Sequence, residues 1–301
     1  MASAAGVPFL TLRRSSTKIP ALVYGTAWKK DQTTDLVYKA LKAGFTGIDT
    51  AAQPKHYRED LVGNGVRKAI DEGLVKREDI YLQTKFTPPG GQDLSNLPYD
   101  PSASIENQVK TSLASSLKNL QTTDGTQYLD CLMFHSPLST LNDTLTAWKV
   151  CEEYVPHKIR NLGISNLNLA FLEPLWEAVK TKPAVVQIRF YRATRFEVPL
   201  RRFCRANEIV FQSYWTLTAN PALLKSNPIQ ILATDAKVSR EIALYSLVLG
   251  LEHTVILDGT TKESTMREDL EGIRATQIFA KEHSERWAQI LKEFKGLIGE
   301  D

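Results

Sequence analysis

The run Gly44-Phe45-Thr46-Gly47-Ile48-Asp49-Thr50-Ala51-Ala52-Gln53-Pro54-Lys55-His56-Tyr57 packs three signals into one short stretch. An apolar segment stops abruptly at an acid, a loop follows, and the loop delivers a tyrosine. A short apolar run closed by turn-forming residues is the mark of a buried strand. Residues 61–72 then read as an amphipathic helix. Two later strand-like runs end in the same manner: Ile80-Tyr81-Leu82-Gln83-Thr84-Lys85 and Leu129-Asp130-Cys131-Leu132-Met133-Phe134-His135. The unit is strand, reactive loop, helix.

Read outward from that unit, the pattern repeats along the chain. Strand-like residues 21–24 precede helix-like 33–43, 47–49 precede 61–72, 80–84 precede 104–120, and 129–134 precede 141–153. In the second half, 159–164 precede 169–179, 184–188 precede 197–206, 209–214 precede 236–249, and 254–257 precede 262–270. Eight strand–helix pairs over roughly 250 residues are the period of a (β/α)8 barrel. An α/β chain could instead form a doubly wound sheet, but that fold wants a G-x-G-x-x-G loop after an early strand. None is present, and Gly63-Asn64-Gly65 lies inside the second helix. The expectation is a single-domain (β/α)8 TIM barrel spanning about 20–270. A strand at 9–12 would close its bottom, and one external helix would cover about 275–298. The longest non-repetitive stretch, 88–101, follows the third strand; such loops on the site-bearing face tend to be functional.

Composition bounds the rest. The 301 residues are 43% hydrophobic and 24% charged, with net charge +3. That balance is ordinary for a globular chain and argues against a nucleic-acid partner. The cluster Arg201, Arg202 and Arg205 reads as one solvated helix face. Three widely spaced cysteines, Cys131, Cys151 and Cys204, point to a reducing compartment and form no metal pattern. Met1-Ala2-Ser3-Ala4-Ala5-Gly6 lacks the charged and apolar regions of a signal peptide, and no apolar run approaches a membrane span. A cytoplasmic monomer acting on a small molecule is expected, with no metal.

In such barrels the chemistry sits at the C-terminal ends of the strands. Those ends carry Asp49, Lys85, His135, Ser165 with Asn166, Gln187, Tyr214 and Thr260. Each alone has an ordinary structural use, as a cap, a surface charge or a satisfied core residue. Together, seven strand ends in order carry reactive or amide-binding groups.

These residues resemble the aldo-keto reductase family over nearly the whole chain. Asp49-Thr50-Ala51 with Tyr57 resembles its strand-two signature, and Leu82-Gln83-Thr84-Lys85 its lysine strand. Gly163-Ile164-Ser165-Asn166, Val186-Gln187 and Phe211-Gln212-Ser213-Tyr214 resemble its strands five, six and seven. Gly259-Thr260-Thr261 through Glu268-Asp269 stands in the place of its coenzyme loop. The Gln-Pro-Lys-His-Tyr and Gln-Ser-Tyr-Trp variants look like fungal members. The resemblance implies reduction of an aldehyde or ketone with a nicotinamide coenzyme, NADPH preferred over NADH. It implies Tyr57 as general acid, Lys85 and Asp49 as the ion pair that tunes it toward neutrality, and His135 as the group that orients the carbonyl.

For the coenzyme it implies Gly25, Thr26, Ser165, Asn166 and Gln187, with Tyr214 stacking on the ring. Trp215, Thr216, Leu217 and Thr218 would follow the pyrophosphate, and Glu268 with Asp269 would reach the adenine. Gly259, Thr260, Thr261, Lys262 and Arg267 would surround the adenosine phosphate. Trp28, Phe86 and Trp215 are expected as substrate walls.

The chain departs from the family pattern in four places. Tyr57 lies eight residues after Asp49, where many members have five. The 88–101 loop lengthens the path from Lys85 to His135. The usual coenzyme-loop lysine and arginine read Gly259 and Thr265. The tail is short. These leave open a coenzyme-binding regulatory subunit, or a biosynthetic enzyme that uses the same pocket for isomerisation or cyclisation.

Overall fold

The computed structural model describes residues 8–12 and 15–300; the Met1–Gly6 reading lies outside them. An antiparallel hairpin, β1 (Phe9–Leu12) and β2 (Thr17–Pro20), comes first. Eight parallel strands then close into a barrel: β3 (Leu22–Gly25), β4 (Gly47–Asp49), β5 (Tyr81–Phe86), β6 (Cys131–Phe134), β7 (Leu162–Ser165), β8 (Val185–Arg189), β9 (Val210–Tyr214) and β10 (Thr254–Asp258). The ring shuts where Ile256 of β10 pairs with Leu22 of β3.

The helices run outside: α1 (Thr33–Ala43), α2 (Glu59–Asp71), α3 (Ile105–Leu120), α4 (Leu141–Glu152), α5 (Leu169–Ala178) and α6 (Val198–Ala206). They continue with α7 (Asn227–Asp235), α8 (Arg240–Leu249), α9 (Glu263–Glu282) and α10 (Ser284–Leu297). Local sequence sets their limits. The Ser104 side chain accepts the Asn107 N–H at 3.3 Å and starts α3. Gly44, at φ 112°, turns the chain left-handed to end α1 just before the decisive strand.

Alternation along the strands sorts the side chains into two cores. In β5 every residue is buried, as expected of a strand covered on both faces. Leu82 and Phe86 join the large core between strands and helices, while Tyr81 joins a smaller cluster inside the barrel. That inner cluster holds Leu12 and Ile19 of the hairpin against Val23, Met133, Val185, Val210 and Val255. The hairpin therefore plugs the bottom of the barrel, in agreement with the expected strand at 9–12.

Three expectations change. The helix expected at 236–249 starts at Arg240, and an unexpected helix, α7, precedes it with Pro228 in its first turn, where proline favours helix initiation. The expected break near 270–275 does not occur. Gly272 is a packing point, with no room for a Cβ beside Ile242, and α9 continues to a non-helical His283 before α10 begins. The arginine cluster is no solvated face: Arg201 is 1% exposed and pairs with the Glu300 carboxylate, as does Arg205. Helical spacing cannot reveal a counter-ion ninety-nine residues away. Among the described residues no helix is long and apolar enough to cross a membrane, and no group of side chains could hold a metal ion.

Candidate active site

Above the apolar plug the barrel interior becomes polar in steps. Gln83, Gln187 and Gln212, from β5, β8 and β9, are each at most 4% exposed. Gln83 Nε2 donates to Asp49 Oδ1 at 2.5 Å and to Gln212 Oε1 at 2.7 Å. Gln187 Nε2 donates to the same two oxygens at 3.2 and 2.8 Å. The Tyr81 hydroxyl, rooted in the plug, donates to Gln83 Oε1 at 2.9 Å. A ring of amides thus fixes one carboxylate oxygen at the centre of the barrel.

Lys85 completes that centre. Its Nζ lies 2.6 Å from Asp49 Oδ1 and donates to the Thr50 carbonyl at 2.9 Å. Both charged side chains are almost fully buried, so each depends on the other for its stability there. Burial pulls the Lys85 ammonium below the usual lysine range, against the opposing pull of Asp49.

The mouth lies over this pair. Lys85 Nζ is 5.2 Å from the centre of the Tyr57 ring. Tyr57 meets His135 edge to face, with ring centres 5.8 Å apart. Burial pushes the Tyr57 phenol well above the usual tyrosine range, and the nearby Asp49 and Tyr214 add to the shift. The expected tuning of Tyr57 toward neutrality is therefore corrected. Asp49 offsets part of the attraction that Lys85 exerts on a phenolate at Tyr57.

His135 is held neutral. Burial, with Lys85 and His56 as nearby cationic groups, lowers its pKa to about 3. Its Nδ1 lies 2.8 Å from Thr87 Oγ1. Thr87 is itself clamped, since its carbonyl accepts from Tyr99 Oη at 2.6 Å and from Gln92 Nε2 at 3.2 Å. The 88–101 loop therefore reaches the histidine through Thr87.

On the far side of the mouth, Asn166 adopts a left-handed backbone at φ 56°. Its Nδ2 donates to the His135 carbonyl at 2.8 Å, and its Oδ1 accepts from Tyr214 Oη at 2.6 Å. Trp28 and Trp215 are also left-handed, at φ 65° and 56°. Strained backbone of this kind gathers at working sites, where the surrounding fold can hold it. The arrangement offers a protonated phenol, a neutral imidazole and a buried cation converging on one opening.

A comparison with protein families matches the aldo/keto reductase family over residues 21–293. The chain belongs to the aldo/keto reductase family. It is accordingly an oxidoreductase. Among curated proteins it is 29% identical to an uncharacterized oxidoreductase of Saccharomyces cerevisiae, over 71% of this chain and 76% of that one. It is also 29% identical to an NADPH-dependent codeinone reductase of Papaver somniferum, over 79% of this chain and 73% of that one. An aldo-keto reductase of Bombyx mori, solved in complex with NADP, superposes with a TM-score of 0.72 at 22% identity, covering 92% of this chain and 94% of that one.

Against the family pattern, several expected site residues sit differently. Phe86 is 2% exposed and packs between Tyr99 and Phe134, so it is no wall of the mouth. Strand alternation decides this: Lys85 points inward, and its neighbour must point to the helices. Trp28 and Trp215, by contrast, stand 62% and 53% exposed at the rim. Trp28 stacks on His56, in the loop that carries Tyr57, at 3.7 Å.

Thr26 is buried and bonds the Asp49 carbonyl through Oγ1 at 2.8 Å, with Gly25 before it. Thr216 is buried with its hydroxyl 2.5 Å from Ser213 Oγ, and Leu217 packs on the core; only Trp215 and Thr218 of that run face outward. Ser165 is fully buried and donates to the Gln187 carbonyl at 2.7 Å. Gln187 is likewise engaged in the amide ring.

The loop after β10 leaves Gly259, Thr261 and Lys262 exposed, while the Thr260 carbonyl accepts from Tyr24 Oη at 2.9 Å. The Lys29 ammonium donates to the Gly259 carbonyl. Arg267 is paired with Glu263, and Glu268 is exposed. Asp269 is buried against Asp258; burial raises both carboxyls, and the neighbouring Asp258 raises Asp269 further, so the expected outward reach of Asp269 is corrected.

Sequence reading missed Gln83, Gln212, Thr87 and Gln92. The signal was available for Gln83 and Gln212, which stand two residues before Lys85 and Tyr214 and so on the same face of their strands. Thr87 and Gln92 depend on contacts between separate segments and carry no local mark.

Proposed function

We propose that this enzyme reduces an aldehyde or ketone to an alcohol, with NADPH as hydride source and Tyr57 as proton donor. The observation that carries the reading is the convergence of protonated Tyr57, neutral His135 and the buried Lys85–Asp49 pair on one mouth.

The residues fit a nicotinamide coenzyme. Tyr214 offers a half-exposed ring held by its hydroxyl to Asn166, and Asn166 is exposed beside it. Lys262 caps α9 with no side-chain cap bond, so first-turn N–H groups and a partial positive charge face outward there. Asn166 and Tyr214 would hold the nicotinamide end, and Gly259–Lys262 the adenosine phosphate. Bound there, the coenzyme supplies the hydride.

The protein's own groups do the rest. A Thr87 hydroxyl that donates to His135 Nδ1 would leave Nε2 protonated and able to bond a carbonyl oxygen. The carbonyl carbon gains a hydride while its oxygen takes the proton from Tyr57. Lys85 then stabilises the phenolate left behind, a charge that exists only after transfer. Interactions made only as the reaction proceeds are those that raise kcat.

The test compares native enzyme with Tyr57→Phe on a panel of aromatic aldehydes by coenzyme oxidation. A fall in kcat of about 10²–10⁴ with unchanged coenzyme affinity is expected. Equal rates in the two proteins sink the assignment.

A further inference from the structure

The long loop at 88–101 ties together two groups that must meet at one oxygen. Tyr57 comes from the loop after β4 and His135 from the end of β6, so no single element sets the distance between them. Their ring centres stand 5.8 Å apart. A carbonyl oxygen that takes a proton from one and a hydrogen bond from the other needs both within about 3.2 Å at once. The two segments must therefore be held in register.

Gln92 spans them with one amide. It is 8% exposed, and its Nε2 donates to the Ala52 carbonyl at 2.8 Å and to the Thr87 carbonyl at 3.2 Å. A primary amide nitrogen carries two hydrogens, one for each carbonyl, and the oxygen end of the side chain could make neither bond. Ala52 belongs to the loop that delivers Tyr57. Thr87 is the residue whose hydroxyl lies against His135 Nδ1. One side chain thus joins the two halves of the proton-transfer site.

Neighbouring contacts reinforce the span. Gln53 Nε2 donates to the Gly91 carbonyl at 2.5 Å, while the Gln53 carbonyl accepts the Tyr57 N–H at 3.0 Å. The backbone of the tyrosine therefore hangs from a residue tied to the long loop. At Gly91 a Cβ would come within 2.9 Å of Thr87 Cγ2, so the loop also lies directly on the threonine. Bonds that only secured the loop would close within it, as the Ser95 hydroxyl does on Asp93. Both acceptors of Gln92 lie instead on the segments that carry Tyr57 and the partner of His135.

We propose that Gln92 is a positioning residue for carbonyl reduction, holding the Tyr57 loop and the Thr87–His135 pair at the separation from which both reach the carbonyl oxygen. This rests on the reductase reading and adds to it a residue that touches neither substrate nor coenzyme.

The experiment measures kcat on the panel of aromatic aldehydes, the dissociation constant for NADPH and the nitrogen-15 shifts of His135. The proteins are native enzyme, Gln92→Met, Gln92→Asn, Thr87→Val, and Gln92→Met combined with Thr87→Val. Methionine keeps the length of the side chain without its donor; asparagine keeps the amide but is too short to span both carbonyls. In Gln92→Met kcat should fall by about tenfold to a hundredfold, the scale of a misplacement of about 1 Å. Gln92→Asn should lose less. NADPH affinity should stay within about twofold in both, and the His135 shifts should move in Gln92→Met. The loss in the combined variant should be smaller than the product of the two single losses, because both substitutions act through one hydrogen-bond network.

A kcat in Gln92→Met within about twofold of native overturns the inference. So does a loss matched by weaker NADPH binding, or one that multiplies in full with that of Thr87→Val. If Gln92→Met does not fold, Gln92→Asn decides: a reduced kcat with NADPH affinity kept supports the inference, and an unchanged kcat overturns it. A native enzyme that reduces none of the aldehydes removes the reductase reading itself, and this inference with it.

Discussion

The two ends of this barrel are built from the same strands and have opposite chemistry. At the bottom, Leu12 and Ile19 of the hairpin meet Val23, Met133, Val185, Val210 and Val255, and water is excluded. At the top, two or four residues further along the same strands, stand Lys85, His135, Gln187 and Arg189. Apolar packing at one end supplies the stability that lets the other end bury an ion pair and carry left-handed residues. The two ends should therefore respond differently to substitution: the bottom through folding, the mouth through turnover.

The largest effect should come from the bottom. Ile19 is fully buried, and Ile19→Ala leaves a cavity in a closed plug. A loss of about 2–5 kcal/mol in unfolding free energy is expected. It should appear as a lower denaturant midpoint, with kcat unchanged under conditions where the protein stays folded. A comparable fall in kcat at full folding would break the division between the two ends.

Thr87→Val is the reciprocal test at the mouth. The side chain keeps its volume but loses the hydroxyl beside His135 Nδ1. The expectation is roughly a tenfold loss in kcat, with stability changed by about 1 kcal/mol, the worth of one hydrogen bond. Thr87→Ser should restore the rate. Nitrogen-15 shifts of His135 should move from one neutral tautomer toward a mixture in Thr87→Val; unchanged shifts would remove the tautomer argument.

The pH dependence sharpens the same point. His135 has a folded pKa of about 3 against an ordinary 6.5. A lowered histidine binds fewer protons when folded, so its contribution to stability is lost as pH falls from about 6.5 toward 3. Above 6.5 it changes nothing. The kcat profile should therefore be free of a histidine limb between pH 6 and 8, and one centred near 6.5 that vanishes in His135→Asn would contradict the neutral imidazole.

The smallest effect is expected at the coenzyme loop. Arg267 is already paired with Glu263, which leaves Lys262 as the exposed cation at the start of α9. Lys262→Ala should weaken NADPH binding severalfold and NADH hardly at all, as one exposed charge contributes about 1 kcal/mol or less. Tryptophan fluorescence titration with both coenzymes measures this, and equal losses for the two would remove Lys262 from the phosphate.

The amino-acid sequence determined the barrel and the strand-end residues because both are local. A strand of three to six residues followed by a helix is written in apolar spacing and turn chemistry. A residue at the strand's end belongs to the mouth whatever the neighbouring strands contain. Asp49, Lys85, His135 and Asn166 could therefore be read directly. So could the strand at Phe9–Leu12, which has no other place in the repeat, though its hairpin partner at Thr17–Pro20 could not.

Only the tertiary structure decided what these groups feel and which others join them. Phe86 was lost from the mouth because inward and outward positions differ by one residue of register. Arg201 was drawn inside by Glu300 at the opposite end of the chain. Tyr57 carries its proton firmly because burial and Asp49 act on it through space. Thr87 reaches His135, and Gln92 reaches Ala52, through contacts between strands and loops far apart in sequence. Charge, burial and hydrogen bonding are sums over neighbours in space, and a linear pattern names the residues without naming their neighbours.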